Sequence, residues 1–145
     1  MKALIQRVDA ANVVVGEKRI AEIKEGLLVF LGIYGTDTED DVSKVCKKIL
    51  NLRIFNDTNG KINYSIQDIK GEILLVSQFT LCASVKKGNR PSFIEAMAPP
   101  GAEQFFNNVR EELNRYILTV TGQFGAIMSV SLVNNGPMTI MVDTK

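Results

Sequence analysis

Three stretches carry side chains whose types and spacing could do chemistry: Ser77-Gln78-Phe79-Thr80-Leu81, the run KKGNRPSF from Lys86 to Phe93, and Asn134-Asn135-Gly136-Pro137. The first sets two hydroxyls and an amide where an apolar run ends, so that a rigid core would carry polar groups out to a reactant. Strand alternation through Leu81 sends Ser77, Phe79 and Leu81 one way and Gln78 and Thr80 the other. The second gathers Lys86, Lys87 and Arg90, which suits contact with phosphate, although a solvated loop has the same composition. The third reads as a tight turn of the type I′ family between the strands IMSVSLV and MTIMV, because Asn and Gly tolerate positive φ. Pro137 fits that turn poorly: a returning strand should begin donating hydrogen bonds there, and proline has no donor.

What is missing narrows the chemistry further. The chain has no histidine, which removes Ser/His/Asp and Cys/His triads and every His-ligated zinc site. A threonine nucleophile at Thr80 would therefore lack the usual base. The two cysteines, Cys46 and Cys82, have no metal-ligand spacing, and too few are present for a disulfide framework. Cys46 lies on the apolar stripe of a predicted helix and reads as packing, while Cys82 follows a strand. A net charge of +1 with 23% charged residues of both signs gives no overall field for a polyanion. The longest apolar run, Gly26 to Tyr34, falls far short of a membrane span, and the N-terminal segment breaks at Gln6 and Arg7 before a signal core could form. The expectation is a soluble cytoplasmic protein with no membrane partner.

The elements that must hold these groups follow from periodicity. ALIQRV, NVVV and RIAEI alternate as strands, the latter two joined across Gly16 and Glu17, and LLVFLGIY is apolar on both faces, as suits a central covered strand. Thr38 followed by Asp41 has capping-box spacing, and Val42, Val45, Cys46, Ile49 and Leu50 share one helical face, which predicts a helix over 38–52. RIF and KIN flank a turn cluster at 56–60. A further strand runs EILLVSQFTL. Pro99 and Pro100 open a second helix with Ala102, Phe105, Phe106, Val109, Leu113, Tyr116, Ile117 and Val120 on its stripe and Gly122 at its end. With 145 residues and 46% hydrophobic, one domain over 1–145 is expected: α+β, two main helices packed on mostly antiparallel sheet.

Taken together, QRV (6–8), KILNLRIF (48–55), GKIN (60–63), VSQFTL, KGNRPSF, GQFGA and NNGPMT resemble, in order and over essentially the whole chain, the D-aminoacyl-tRNA deacylases. These editing enzymes hydrolyse the ester of tRNA charged with a D-amino acid. The resemblance implies a homodimer with active sites at the subunit interface and no cofactor. It implies a cis Gly136–Pro137 bond that projects into the partner's site, held in place with help from Arg7. Carbonyl oxygens there would accept hydrogen bonds from the substrate's α-ammonium, and an L side chain would then collide with the motif. Glycine has no side chain to reject, so glycyl-tRNA is implied as a second substrate, including glycine mischarged on the tRNA for alanine. Ser77, Gln78, Phe79 and Thr80 match the family's active-site strand, and Ala102, Phe124 and Met128 match positions lining its adenosine pocket. Lys86, Lys87 and Arg90 are the candidates for tRNA backbone contacts. Three positions depart from the family pattern: Asn135 stands for the usual aspartate, Met138 for a smaller or branched residue, and Cys82 where an aromatic is common. Two alternatives stay open: a nucleic-acid-binding module of the same fold without catalysis, and a structural dimer in which the turn is only a clasp.

Overall fold

A computed structural model describes all residues, 1–145. Strand β1 (Lys2–Val15) is the backbone of the architecture. One edge of it is shared by β3 (Gly26–Gly32), which pairs with residues 2–8, and by β2 (Lys18–Ile23), which pairs with residues 11–15. Its other edge is taken along nearly the whole length by β8 (Ser129–Asp143). Beyond β3 lie β6 (Glu72–Ser77) and β7 (Thr119–Thr121), so the sheet runs β2-β1-β3-β6-β7 with β8 on β1. A separate ribbon is formed by β4 (Phe55–Asn56) and β5 (Ile62–Tyr64).

The pairings are mostly antiparallel, as expected, but the main sheet is mixed. β3 pairs with β6, and β6 with β7, in parallel. The reason is connection length: a helix stands between the strands of each pair, and a helical crossover returns the chain in the same direction. Those helices are α1 (Glu39–Asn51) and α3 (Pro99–Asn114), joined by a short third, α2 (Ile66–Ile69). α1 starts as read from sequence, with Thr38 as N-cap and the reciprocal Thr38–Asp41 box in place. α3 ends at Asn114 rather than near Gly122. The helical stripe continues on paper through Ile117 and Val120, but Tyr116 is exposed and residues 119–121 leave to pair with β6. The Asn114 side chain accepts from the Thr119 N–H and marks the change of direction.

Alternation along the strands sorts the core into two clusters. Ala3, Ile5, Leu27, Val29, Leu31, Ile73 and Leu75 face the helices, where Val45, Ile49, Phe106, Val109 and Leu113 meet them. Val8, Ala11, Val13, Leu28, Leu74 and Val76 pack on the opposite side against Ala21 and Ile23 of β2. β3 is thus covered on both faces, as its unbroken apolar run requires. Cys46 is buried between α1 and α3, and burial pushes its thiol up to about 12. No helix is long and apolar enough to cross a membrane.

A charged knot closes the helical end. Asp37 receives the Met1 ammonium at 2.8 Å and Lys145 at 3.2 Å. Asp41, buried beside it, accepts from the Thr144 hydroxyl at 2.7 Å, from Lys145 at 3.3 Å and from the Thr38 N–H at 3.0 Å. These donors, the Thr144 hydroxyl foremost, hold the Asp41 carboxyl well below the usual carboxylate range. A depressed folded-state pKa adds stability that is fully present above the unfolded value, near 4, and is lost as pH falls below it. Asp41→Asn should therefore lower unfolding free energy by about 2 kcal/mol at neutral pH. Denaturant melts of both proteins at pH 7 and pH 3 should show that gap narrowing in acid.

Candidate active site

The first candidate stretch is not the end of a straight strand. β6 stops at Ser77, Gln78 breaks the extended conformation at φ −145° and ψ 79°, and Phe79–Cys82 wind into a 3-10 turn. The turn is pinned to β3: the Gln78 N–H donates to the Leu31 carbonyl at 2.8 Å. Gly32 makes that seat possible, since a Cβ on it would lie 2.9 Å from Leu81 Cβ and 3.1 Å from the Gln78 carbonyl oxygen. The expected alternation of side chains consequently fails, and Ser77, Gln78 and Phe79 all line the same cavity. Thr80 does not line it; its hydroxyl accepts from the Gln78 side-chain amide. Cys82 is buried beneath the turn, and desolvation pushes its thiol up to about 11, so it packs rather than reacts.

The cavity has a volume of about 590 Å³ and mostly apolar walls. Leu31 and Ile33 line it, with Ala98, Pro99 and Ala102 from the start of α3 and with Phe124 and Met128. Phe124 is braced by the buried Phe106 ring, centroids 5.9 Å apart. Gly125 takes φ +73° in the turn that the Ala126 N–H closes on the Gln123 carbonyl, a conformation that favours glycine. Met128 lies over Gly122, where a Cβ would come within 2.5 Å of its sulfur. The sequence had assigned the lining residues Ala102, Phe124 and Met128 through the family resemblance alone. It missed Phe93, read there as part of the basic loop. The Phe93 ring meets the Phe79 ring edge-on, centroids 5.0 Å apart, and both line the mouth.

The basic loop is closed by a two-way backbone bridge between Ser84 and Ser92, each N–H donating at 2.9 Å. Lys86, Lys87 and Arg90 stand exposed on it, and none enters an ion pair. Two residues beyond Arg90's flanking Pro91, the same segment supplies Phe93 to the cavity wall, so the cations and the pocket share one piece of backbone.

The third stretch overturns the hairpin reading. β8 runs through 129–143 without reversing, and residues on both sides of Gly136 pair with β1. Gln6 faces Thr139 and Val8 faces Asn134, so four β8 residues, 135–138, stand opposite the single Arg7 and bulge from the ladder. Neither asparagine has positive φ; they work through their side chains. The Asn134 amide donates to the carbonyls of Arg7 at 3.0 Å and Met138 at 3.1 Å, stapling the base of the bulge. The Asn135 amide donates to the Asp9 carboxylate at 2.7 Å. Arg7 is buried and turns its guanidinium on the carbonyls of Asn135 and Gly136, each at 3.1 Å, and of Ile54. The Gly136–Pro137 peptide is cis. Two asparagines directly before Gly-Pro were the one local signal for this network, and they point equally to a turn.

Within one chain the two halves stay apart. Arg7 pairs with Leu27, four residues along β3 from Leu31 in the cavity wall. Neither Gly136 nor Pro137 lines the cavity. Gly136 also stands in open space: a Cβ there meets nothing within 4 Å and its φ is not positive, so no neighbour in the chain calls for glycine.

Comparison with known proteins identifies the family. The sequence profile described as D-Tyr-tRNA(Tyr) deacylase matches residues 4–143. A D-aminoacyl-tRNA deacylase of Aquifex aeolicus is 52% identical, covering 100% of this chain and 99% of its own length. That of Thermosipho melanesiensis is 50% identical, covering 100% and 98%. Among solved structures, the c-Myc DNA unwinding element binding protein superposes with a TM-score of 0.96 at 44% identity, over 100% of this chain and 99% of that one. A probable eukaryotic D-amino acid tRNA deacylase shares the fold, with a TM-score of 0.84 at 16% identity over 97% of each chain. With the profile spanning the sheet, the cavity and the bulge alike, the chain belongs to the D-Tyr-tRNA(Tyr) deacylase family.

Proposed function

We propose that this protein hydrolyses the ester bond of D-aminoacyl-tRNA in the cytoplasm, releasing free tRNA and the D-amino acid, and that it works as a homodimer. The observation that carries this reading is the bulge at 135–138: Gly136 clamped by Arg7, outside the lining of its own chain's cavity, with no intrachain reason for its glycine. A second copy supplies the reason. In it, Gly136 and Pro137 of one subunit close the cavity of the other, and the carbonyls of the bulge receive the substrate's α-ammonium.

With the ammonium held there, the side chain of a D-residue leaves the motif and that of an L-residue runs into it. Exclusion by shape is the suitable device, since enantiomers carry the same functional groups and differential hydrogen bonding separates them weakly. Glycyl-tRNA passes the same filter and is a second substrate. The terminal adenosine fills the apolar cavity between Ala102, Phe124 and Met128. Exposed Lys86, Lys87 and Arg90 meet the phosphates of the acceptor end.

Hydrolysis follows from positioning rather than from a side-chain nucleophile. Water adds to the ester carbonyl while Ser77 and the backbone of Gln78, Phe79 and Thr80 orient the ester and meet the developing oxyanion. The carbon–oxygen bond to the ribose then breaks. The neighbouring 2′-hydroxyl relays the proton given up by water to the departing 3′-oxygen, a service no imidazole in this chain can perform. The Thr80 hydroxyl is engaged with Gln78 and holds the turn.

Three outcomes test the proposal. Wild-type protein should cleave D-tyrosyl-tRNA and glycyl-tRNA while sparing L-tyrosyl-tRNA; bound but uncleaved tRNA would favour the non-catalytic nucleic-acid module, a reading the name of one structural neighbour keeps in view. Thr80→Ala should retain activity to within about tenfold, a loss far smaller than removal of a true nucleophile brings, as single-turnover kinetics would report. Gly136→Ala should reduce cleavage of the D-ester at least tenfold yet leave the melting curve unchanged to within about 0.5 kcal/mol; a matching loss of stability would place the glycine's role in folding instead.

A further inference from the structure

Arg7 grips the bulge through backbone carbonyls from inside the fold. On the solvent side Asn134 staples the base of the bulge, and the residue directly before Gly136 is held through its side chain by one contact, the Asn135 amide donating to the Asp9 carboxylate at 2.7 Å. Two observations raise that contact above an ordinary surface hydrogen bond. Asp9 occupies the irregularity of β1: Val8 faces Asn134 and Ala10 faces Val133, so Asp9 is the residue left without a β8 partner at the point where the bulge begins. Its side chain is accordingly free to reach Asn135 rather than a cross-strand neighbour. The bond is also charge-assisted, which makes it shorter and stronger than one between neutral groups.

The pairing restricts what position 135 can be. A carboxylate there would set two negative charges at hydrogen-bond distance, next to the carbonyls of Asn135 and Gly136, and would turn residue 135 away from β1. A neutral amide turns toward it. Residues 9 and 135 therefore form one unit of fixed polarity, acceptor on β1 and donor on β8.

We propose that Asp9 is a positioning residue for the Gly136–Pro137 motif: by holding Asn135 it sets the placement of that motif and hence the discrimination between D- and L-esters. This rests on the reading above, in which the motif is the chiral filter. Asp9 itself touches no substrate. Its influence passes through one side chain to the next backbone unit, so it acts on selectivity and not on the chemistry of ester cleavage.

The test is an exchange of polarity across the pair. The ratio of kcat/KM for D-tyrosyl-tRNA over L-tyrosyl-tRNA is measured for wild type, Asn135→Asp, Asp9→Asn and the double variant, with thermal melts alongside. Asn135→Asp should lower the ratio about tenfold, within the coupling seen between residues in contact. Asp9→Asn, which keeps an acceptor, should stay within about threefold of wild type. The double variant should recover to the same range, because the amide now on position 9 donates to the carboxylate now on 135. Asp9→Ala, which truncates a single exposed side chain, should lower the ratio as Asn135→Asp does, and serves if the latter folds poorly. A double variant no more selective than Asn135→Asp overturns the proposal, as do Asn135→Asp and Asp9→Ala that both match wild type. In those cases a wild type that still spares the L-ester leaves the filter standing; a wild type that cleaves both esters alike removes the filter and this inference together.

Discussion

A buried guanidinium is the constraint around which the rest is arranged. Taking such a charge out of water is costly unless its donors are met, and no carboxylate pairs with Arg7. Three carbonyls meet it instead, from Ile54 ahead of β4 and from Asn135 and Gly136 of β8. Those segments lie 47, 128 and 129 residues away in the chain. The planar fork of arginine reaches all three at once, which a single ammonium point could not. Since Arg7 lies on the strand that pairs with three others, it joins the bulge to the most extensively paired strand of the sheet.

That anchoring explains the division of the molecule. The cavity is made where β3 and β6 end and the chain must turn, with two glycines, Gly32 and Gly122, leaving room for close approach by the 3-10 turn and by Met128. The bulge is made elsewhere, where two long strands fall out of register. The first is a receptacle of mostly apolar walls; the second is a bulge of polar backbone held by side-chain hydrogen bonds. Each part is set by its own packing, the cavity by the strand ends and α3 and the bulge by Arg7 and the two asparagines.

Local signals were legible in the sequence and non-local ones were not. The Thr38–Asp41 cap depends on four consecutive residues and stands as read. The apolar run of β3 disclosed its burial on both faces. The hairpin reading of Asn134 to Pro137 failed because the same residues suit a turn or a bulge, and the choice is made by β1, which supplies pairing on both sides. Extending β6 to Leu81 failed for a similar reason: the seat for the 3-10 turn is Gly32, far back in the chain. The strand, helix, strand order left room for the parallel pairs without requiring them, and the direction is set by which strands become neighbours. Of the residues assigned through family resemblance, Ser77, Gln78, Phe79, Ala102, Phe124 and Met128 line the cavity while Thr80, Arg7, Gly136 and Pro137 do not. Phe93 went unseen since only the aromatic contact with Phe79 draws it in.

The open space around Gly136 has a meaning for the life of the protein in a cell. Surveillance of folding acts on exposed core and on the population of opened molecules, and a side chain added at that position disturbs neither. A chain altered there escapes degradation and accumulates at normal abundance. Abundance is therefore a poor reporter of this residue, and a change there is visible only to a measurement of what the bulge does.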